Sequence, residues 1–393
     1  MSISVCHVIT SLEIGGAQQL LRQLCDSLSP PEFEHCVICL SGETELAARF
    51  RENGIRVSCL NVTRIYQGLS GILRLRRILR QEQPHIVHTW LYHADLMATV
   101  AMIGMNTGSL LWSVHHANEN FTSDKSLIKW IVGLLALLSA RFPTAVVYCS
   151  TYASKVHQKL GYNPRTSFII NNGIDTTKFH SSPILRENFR QELGLDMEAS
   201  IIGMVARYSP IKGHEIFLRM ARELLALNND IRLVMVGTNV VEENNELFEM
   251  VDELGLREVC ILLGEQLELE KIMNGLDVLV CPSISESFGL VAVEALACGV
   301  PVVCSNIEVL ESIVGEQFTA PVGDYRRLAE KVYCLITAGE VHRRSIGSDG
   351  RARMVRDHSA WKMIEEYKIA YRDLSSGSQP ISLSAEKSRD GHD

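Results

Sequence analysis

Glu286-Ser-Phe-Gly-Leu-Val-Ala-Val-Glu294-Ala-Leu-Ala-Cys-Gly299-Val-Pro301 decides how this chain is read. One carboxylate stands at the mouth of an apolar run, and a second lies inside it. From Gly289 the pattern predicts a helix, closed by Gly299 and then Pro301, a common stop. At about 1.5 Å of rise per residue, the two carboxylates lie up to roughly 12 Å apart. Between them, the free backbone N–H groups near Phe288, Gly289 and Leu290 would form an anion site. Carboxylate, anion site, carboxylate suits a sugar, a diphosphate and a ribose. The competing reading makes Glu294 an edge-of-core residue paired with an arginine, because an unpaired charge in that run is costly.

Composition narrows the classes. At 393 residues the chain exceeds what one core usually supports, so two domains are expected. A net charge of −8, with no aromatic-rich basic stripe, argues against nucleic acid as a partner. The N-terminus lacks the basic-then-apolar shape of a signal peptide and reads as a strand. The longest apolar run, Trp130-Ile-Val-Gly-Leu-Leu-Ala-Leu-Leu, is too short to span a membrane and reads as a buried helix. Eleven cysteines without a secretion signal fit reduced thiols in the cytosol. Cys36-Val-Ile-Cys39 has CxxC spacing but lies within a strand pattern, where packing explains it better than metal or redox chemistry.

Strand-like runs alternate with helical patterns throughout, which predicts an α/β chain with helix-covered parallel sheets. The first series is Ser4–Ile9, Glu34–Leu40, Arg56–Leu60, Ile86–Trp90, Leu111–His115 and Ala145–Cys149. The second is Ile201–Val205, Ile231–Val236, Val259–Leu263, Val278–Cys281 and Val300–Ser305. The turn-rich stretch Asn171–Leu185 suits a domain crossing. The expected division is residues 1–175, then 176–358, a helix over 359–374 that packs back toward the first domain, and a disordered tail over 375–393.

Other motifs sit at the ends of predicted strands, where open α/β sheets bind ligands. Gly15 and Gly16 follow the first strand and either admit a ligand to the backbone or make a tight turn. Arg207 and Lys212 share a loop after the first strand of the second series; a planar fork and a compact charge together suit a diphosphate leaving group. His115, in Trp112-Ser-Val-His-His116, can hydrogen-bond a sugar hydroxyl or assist transfer. His88, His93 and Asp95 are weaker acceptor-side candidates. The segment Gly71–Arg80 separates Ile72, Leu75, Ile78 and Leu79 from an arginine face that could meet anionic headgroups.

These motifs resemble those of the retaining glycosyltransferases of family 4. They are Gly15-Gly16-Ala-Gln, Asn171-Asn-Gly-Ile-Asp175, Gly203…Arg207…Lys212-Gly213 and Glu286-x7-Glu294 with Phe288-Gly289. The resemblance spans most of residues 1–370. It implies the GT-B fold, two facing Rossmann-like domains with a cleft between an acceptor-binding first domain and a nucleotide-sugar-binding second. It also implies that Glu294 holds the ribose, that Glu286 contacts the donor sugar, and that Arg207 and Lys212 neutralise the diphosphate. The amides of Gly15-Gly16 and Phe288–Leu290 join them, and His115 matches the family's active-site histidine. Family members need no metal, in keeping with the lack of an Asp-x-Asp motif, and some dock on membranes through a basic helix. Where members often carry Gly-Gly-x-x-Glu, this chain has Ser305-Asn-Ile-Glu-Val-Leu-Glu311.

The expected function is therefore hexosyl transfer from a nucleoside-diphosphate sugar to a glycan or lipid-linked acceptor. Bacterial surface-polysaccharide synthesis, on the cytoplasmic side of the inner membrane and without a cofactor, is the expected setting. The alternatives are an epimerase or phosphorylase on the same fold, or a catalytically silent glycan-binding paralogue.

Overall fold

A computed structural model describes residues 2–13, 15–62, 67–115, 126–228 and 230–376. It divides into two compact units, one running to Gly173 and resuming at Ala360, the other spanning Ile174–Ser359. The first boundary falls two residues before the expected 175.

The first unit holds β1 (Ile3–Ile9), β2 (Phe33–Cys39), β3 (Arg56–Cys59), β4 (Ile86–Trp90), β5 (Ser109–Val114), β6 (Ala145–Tyr148) and β7 (Ser167–Ile169). They form one parallel sheet in the order β3-β2-β1-β4-β5-β6-β7. The second unit holds β8 (Ser200–Val205), β9 (Ile231–Val236), β10 (Cys260–Leu262), β11 (Val278–Cys281), β12 (Val302–Ser305) and β13 (Thr319–Ala320). Its parallel order is β10-β9-β8-β11-β12-β13. Both are doubly wound, with reversal points at β1/β4 and β8/β11. Only β7 and β13, of three and two residues, have no counterpart in the sequence reading, being too short to show a pattern.

Strands covered by helices on both faces should be apolar throughout rather than alternating. β4 is buried along its whole length, and β8 from its second residue. Cys36 and Cys39, an odd spacing apart on β2, point into the separate cores on the two faces of the first sheet and are unpaired. The helix Ala360–Ser376 packs in the first unit, burying Met363, Tyr367, Ala370, Tyr371 and Leu374 in the core that contains Phe33 and Trp90. It runs through Ser376, past the expected end at 374; the rest of the expected tail lies outside the described residues.

Three expectations are corrected. The run from Trp130 lies in the helix Ser126–Ser139, but that helix is not buried all round. Ile131, Val132, Leu135 and Ala136 face the core, while Trp130 and Leu137 are 79% and 80% exposed. Arg76 does not belong to the free basic face of the helix Gly68–Glu82, because its Nη1 donates to Ala101 and Ile103 carbonyls at 2.5 and 2.7 Å. Arg74, Arg77 and Arg80 remain exposed. His88 and Asp95 are fully buried, so neither reaches an acceptor. His88 Nδ1 is bonded to Tyr371 Oη at 2.7 Å, and Thr89 donates to Asp95 Oδ1 at 2.5 Å.

At the amino-terminal edge of the second sheet, arginines take up the carbonyls at helix C-termini. Arg186 donates to the Asn274, Gly275 and Leu276 carbonyls, Arg343 to Leu335 and Ile336, and Arg351 to Ala297. Asp277 ties this edge to the sheet. It accepts from Arg186 at 2.8 Å, from the fully buried Arg190 at 2.7 Å and from the Ile201 N–H of β8 at 2.8 Å. Removing that carboxylate strands Arg190 without its counter-charge, so Asp277→Ala should cost about 3–5 kcal/mol. Equilibrium denaturation of the full chain checks this: the transition of the second unit should move to lower denaturant.

Candidate active site

The helix announced by the double-glutamate motif is Leu290–Ala297, and Gly289 precedes it at φ +92°. Glycine is required there twice over. That φ is left-handed, and a Cβ would come within 2.6 Å of a Leu310 methyl. Phe288 is buried, its ring edge-on to His358 at 5.5 Å, which anchors the turn from the apolar side. The Gly289 carbonyl accepts from the Ala292 and Val293 N–H groups at 3.0 and 3.2 Å, so the N–H groups that the helix itself leaves over at this end are those of Leu290 and Val291.

The loop after β8 carries Arg207 and Lys212; the loop after β11 carries Glu286. These strands are neighbours at the reversal point, so their loops meet. Ile284 N–H donates to the Ile211 carbonyl at 2.8 Å, joining them backbone to backbone. Gly213, at φ +75°, permits the approach, since a Cβ would lie 2.2 Å from the Pro282 carbonyl oxygen. Lys212 Nζ then reaches Glu286 Oε2 at 2.6 Å. The two side chains are 22% and 18% exposed, so the pair is open to a ligand. Arg207 is exposed on the same loop, and no ion pair among the described residues holds its guanidinium. The arrangement can offer an anion two cations and a helix N-terminus.

Glu294 lies one turn into the helix. Burial pushes its carboxyl up to about 8; Lys178 opposes this, and Glu270 adds to it. Lys178 is itself paired with Glu270 at 3.2 Å. No arginine pairs with Glu294 among the described residues, which removes the expectation of an edge-of-core ion pair. A carboxyl in this state can both donate and accept, as vicinal hydroxyls require.

In the first unit, Gly15 precedes the helix Gly16–Ser27 at the carboxyl end of β1. Its φ of −177° is ordinary extended backbone. The Gln18 side chain lies over it, its Oε1 2.5 Å from where a Cβ would stand and its amide donating to the Ser11 carbonyl at 2.9 Å. His115 follows β5 directly, with its Nε2 3.0 Å from Ser113 Oγ and its ring parallel to Trp90 at 5.0 Å. His116 lies outside the described residues. Sequence reading passed over Leu91, a non-glycine residue at φ +75° immediately after β4, strained backbone at the reversal point. It also passed over His7 and His35.

His7, Cys25 and His35 bring their ligand atoms within 4.8 Å of one another. Hydrogen bonding explains the cluster without a metal. His35 Nε2 faces the Leu28 carbonyl at 2.7 Å, so it carries the proton and leaves Nδ1 to accept. That Nδ1 lies 2.9 Å from His7 Nε2, and His7 Nδ1 accepts from Trp90 Nε1–H at 3.2 Å. Each ring nitrogen is satisfied, and burial holds both imidazoles neutral, His35 at about 4.

Comparison with known proteins agrees with this geometry. Residues 14–178 match the family model "Glycosyltransferase Family 4", and residues 186–353 match "Glycosyl transferases group 1". The chain is a GT4-type glycosyltransferase. It has the GT-B fold. The chain is 24% identical over 384 residues to the UDP-Gal:alpha-D-GlcNAc-diphosphoundecaprenol alpha-1,3-galactosyltransferase of Escherichia coli, covering 95% of this chain and 97% of that one. It is 28% identical over 241 residues to the D-inositol 3-phosphate glycosyltransferase of Rhodococcus opacus, spanning 54% of that protein. In fold it is similar to Anabaena HepE in complex with UDP and glucose (TM-score 0.82, 19% identity, 95% and 100% of the two chains). WaaG, a glycosyltransferase involved in lipopolysaccharide biosynthesis, is a further structural neighbour (TM-score 0.72, 14% identity, 95% and 99% of the chains).

The raised Glu294 carboxyl has a measurable consequence. Its folded value lies above its unfolded one, so the folded state holds an extra proton between about 4.5 and 8. The contribution to stability is present below the unfolded value and is lost as pH rises through 8. Glu294→Gln should therefore be more stable than the parent at pH 8.5, by a few degrees in Tm. The gap should close by pH 5, and thermal unfolding at the two pH values reads it.

Proposed function

We propose that this enzyme is a retaining hexosyltransferase that moves a sugar from a nucleoside diphosphate to a glycan or lipid-linked acceptor in surface-polysaccharide assembly. The observation that carries the reading is the Lys212–Glu286 contact at the β8/β11 reversal point, beside the exposed Arg207 and the N-terminus of the helix Leu290–Ala297. In the proposed mechanism, Lys212 leaves Glu286 for the diphosphate as it binds. That frees a carboxylate to contact the donor sugar beside its anomeric carbon. Arg207 and the N–H groups near Phe288, Gly289 and Leu290 share the growing charge as the sugar–phosphate bond breaks. Glu294 holds the ribose hydroxyls. In the first unit, Gly15 and Gly16 at the start of the helix Gly16–Ser27 and His115 after β5 are the residues assigned to ligand binding. Retention follows if the acceptor hydroxyl attacks from the face that the diphosphate leaves, passing its proton to a phosphate oxygen.

The acceptor class draws support from the Escherichia coli relative, whose name specifies a diphosphoundecaprenol-linked sugar, and from the lipopolysaccharide role of WaaG. The eleven unpaired cysteines fit a reducing compartment, as the cytoplasmic side of the inner membrane would be. No helix among the described residues is long and apolar enough to cross a membrane. The helices Gly68–Glu82, Tyr92–Met102 and Ser126–Ser139 pack side by side and expose Leu69, Leu73, Trp130 and Leu137 together with Arg74, Arg77 and Arg80. Apolar anchors beside arginines suit the headgroup layer of an anionic bilayer.

Transfer from a labelled nucleotide sugar to a diphospholipid-linked acceptor tests the reading, with proton NMR of the product reporting the anomer. Transfer should persist in EDTA, since positive side chains do the neutralising. Lys212→Ala should abolish it while the unfolding midpoint moves by less than about 1 kcal/mol, because a partly exposed pair contributes little. Turnover in that variant equal to the parent would refute the assignment.

Membrane contact is tested by sedimentation with vesicles. Binding should appear with anionic phosphatidylglycerol vesicles, weaken with salt, and fall on Trp130→Ser combined with Leu137→Ser. Equal sedimentation of parent and variant would exclude this face.

A further inference from the structure

At the amino edge of the second unit, a cavity of about 330 Å³ opens just past the C-terminal end of the double-glutamate helix. Arg186, Arg343, Arg344 and Arg351 line it, with Asp277 and Glu340 as the acidic residues on its wall. The proposed donor site meets the helix Leu290–Ala297 at its first turn, whereas the cavity meets it at Cys298 and Gly299. At about 1.5 Å of rise per residue, roughly 12 Å of helix separates the two.

Once the helix ends here are capped, positive charge is left over. Asp277 is a single carboxylate among three guanidiniums, 2.8 Å from Arg186, 2.7 Å from Arg190 and 3.8 Å from Arg343. These arginines press on one another. Burial holds Arg190 below its usual range, Asp277 opposes this, and Arg186 and Arg343 add to the fall. Arg351 has no acidic partner among the described residues, and its Nη1 donates to the Phe179 and Ala297 carbonyls. A helix C-terminus supplies only about half a negative charge, so carbonyls alone do not neutralise a guanidinium. Glu340 is taken by Arg344 at 2.5 Å.

Hydrogen-bond capacity is left over as well. Among the described residues, no hydrogen bond uses Nε or Nη2 of Arg351, or Nε of Arg343. The hydroxyl residues Ser181 and Ser348 stand on the same wall. Capping explains the Nη1 atoms of these arginines; it does not explain an open hollow with unspent donors and surplus charge.

We propose that this cavity is a second anion site, which takes the phosphate group of a small phosphate ester or diphosphate. A phosphate brings about two negative charges and three acceptor oxygens, enough to meet donors from several elements at once. A carboxylate is matched by a single guanidinium fork. Pockets for small molecules begin at roughly 300 Å³, so the cavity has room for such a ligand. The inference is independent of the reaction proposed at the opposite edge.

Isothermal titration of the full chain with inorganic pyrophosphate tests this. Pyrophosphate should also enter the donor site, so the titration uses Arg207→Ala combined with Lys212→Ala, which weakens that site. Saturable binding should remain in this background. It should fall at least tenfold when Ser348→Asp is added, because a carboxylate then stands in the cavity while every lining arginine is kept. Ser348→Thr should bind like the background. Ser348 is exposed, so neither change should move the unfolding midpoint, which is measured alongside. Arg344→Ala, at a side chain 74% exposed, should fold and bind more weakly. Citrate, an anion of similar charge built from carboxylates, should bind at least tenfold more weakly than pyrophosphate. Absence of saturable binding in the background overturns the proposal, as does binding that Ser348→Asp leaves unchanged. Citrate binding as tightly as pyrophosphate overturns the assignment to phosphate. Parental turnover in Lys212→Ala would sink the proposed function and leave this site standing.

Discussion

The approach of two backbones at Gly213 and Pro282 is the constraint on which the donor-side geometry depends. A side chain at position 213 would meet the Pro282 carbonyl oxygen at 2.2 Å, so only glycine lets the loop after β8 lie against the loop after β11. With that contact made, Ile284 N–H closes on the Ile211 carbonyl and the intervening side chains have few places to go. Lys212 is brought to Glu286 across 74 residues of sequence as a result of backbone sterics rather than of ion pairing. A partly exposed pair could not by itself organise two loops, because its Coulomb gain is about the size of the entropy it costs.

The second unit is polarised from end to end. Helices that cover a parallel sheet point their N-termini to the carboxyl edge and their C-termini to the amino edge. At the amino edge the negative helix ends are answered inside the protein by Arg186, Arg343 and Arg351, with Asp277 balancing part of the excess. At the carboxyl edge the positive ends stand beside Arg207 and Lys212, the cations proposed above to meet a diphosphate. The acidic groups there are managed locally: Glu286 by Lys212, and Glu294 by taking up a proton as burial demands. The net charge of the chain, −8, therefore says little about the site, where two cations and a helix N-terminus stand beside Glu286.

How much of this was legible in the sequence varies with the range of the interaction. The double-glutamate helix, the paired cations and most strands were readable because each is a local pattern. Gly289 was read as the start of the helical pattern, and its φ of +92° became visible only in the structure. The exposed face of Ser126–Ser139 was not readable: its composition is apolar all round, and only the partner elements decide which face is covered. Arg76 was misread for a related reason, because the carbonyls it bonds belong to another helix. Buried His88 and Asp95 looked like site residues, since a motif shows residue types but not depth.

The C-terminal helix shows why a polar core can be sequence-silent and still organised. Tyr367 and Tyr371 drew no reading of their own in the sequence, and each meets its partner only because the chain returns to the first unit at Ala360. Within the second unit, the return is tied to the exit: Ile174 N–H donates to the His358 carbonyl at 2.9 Å, and Ile174 bridges Ser359. The first unit is thus completed by a segment that follows the second unit in sequence. Until that helix docks, Trp90, His88 and Ser113 face an incomplete core with unsatisfied polar groups, a costly condition.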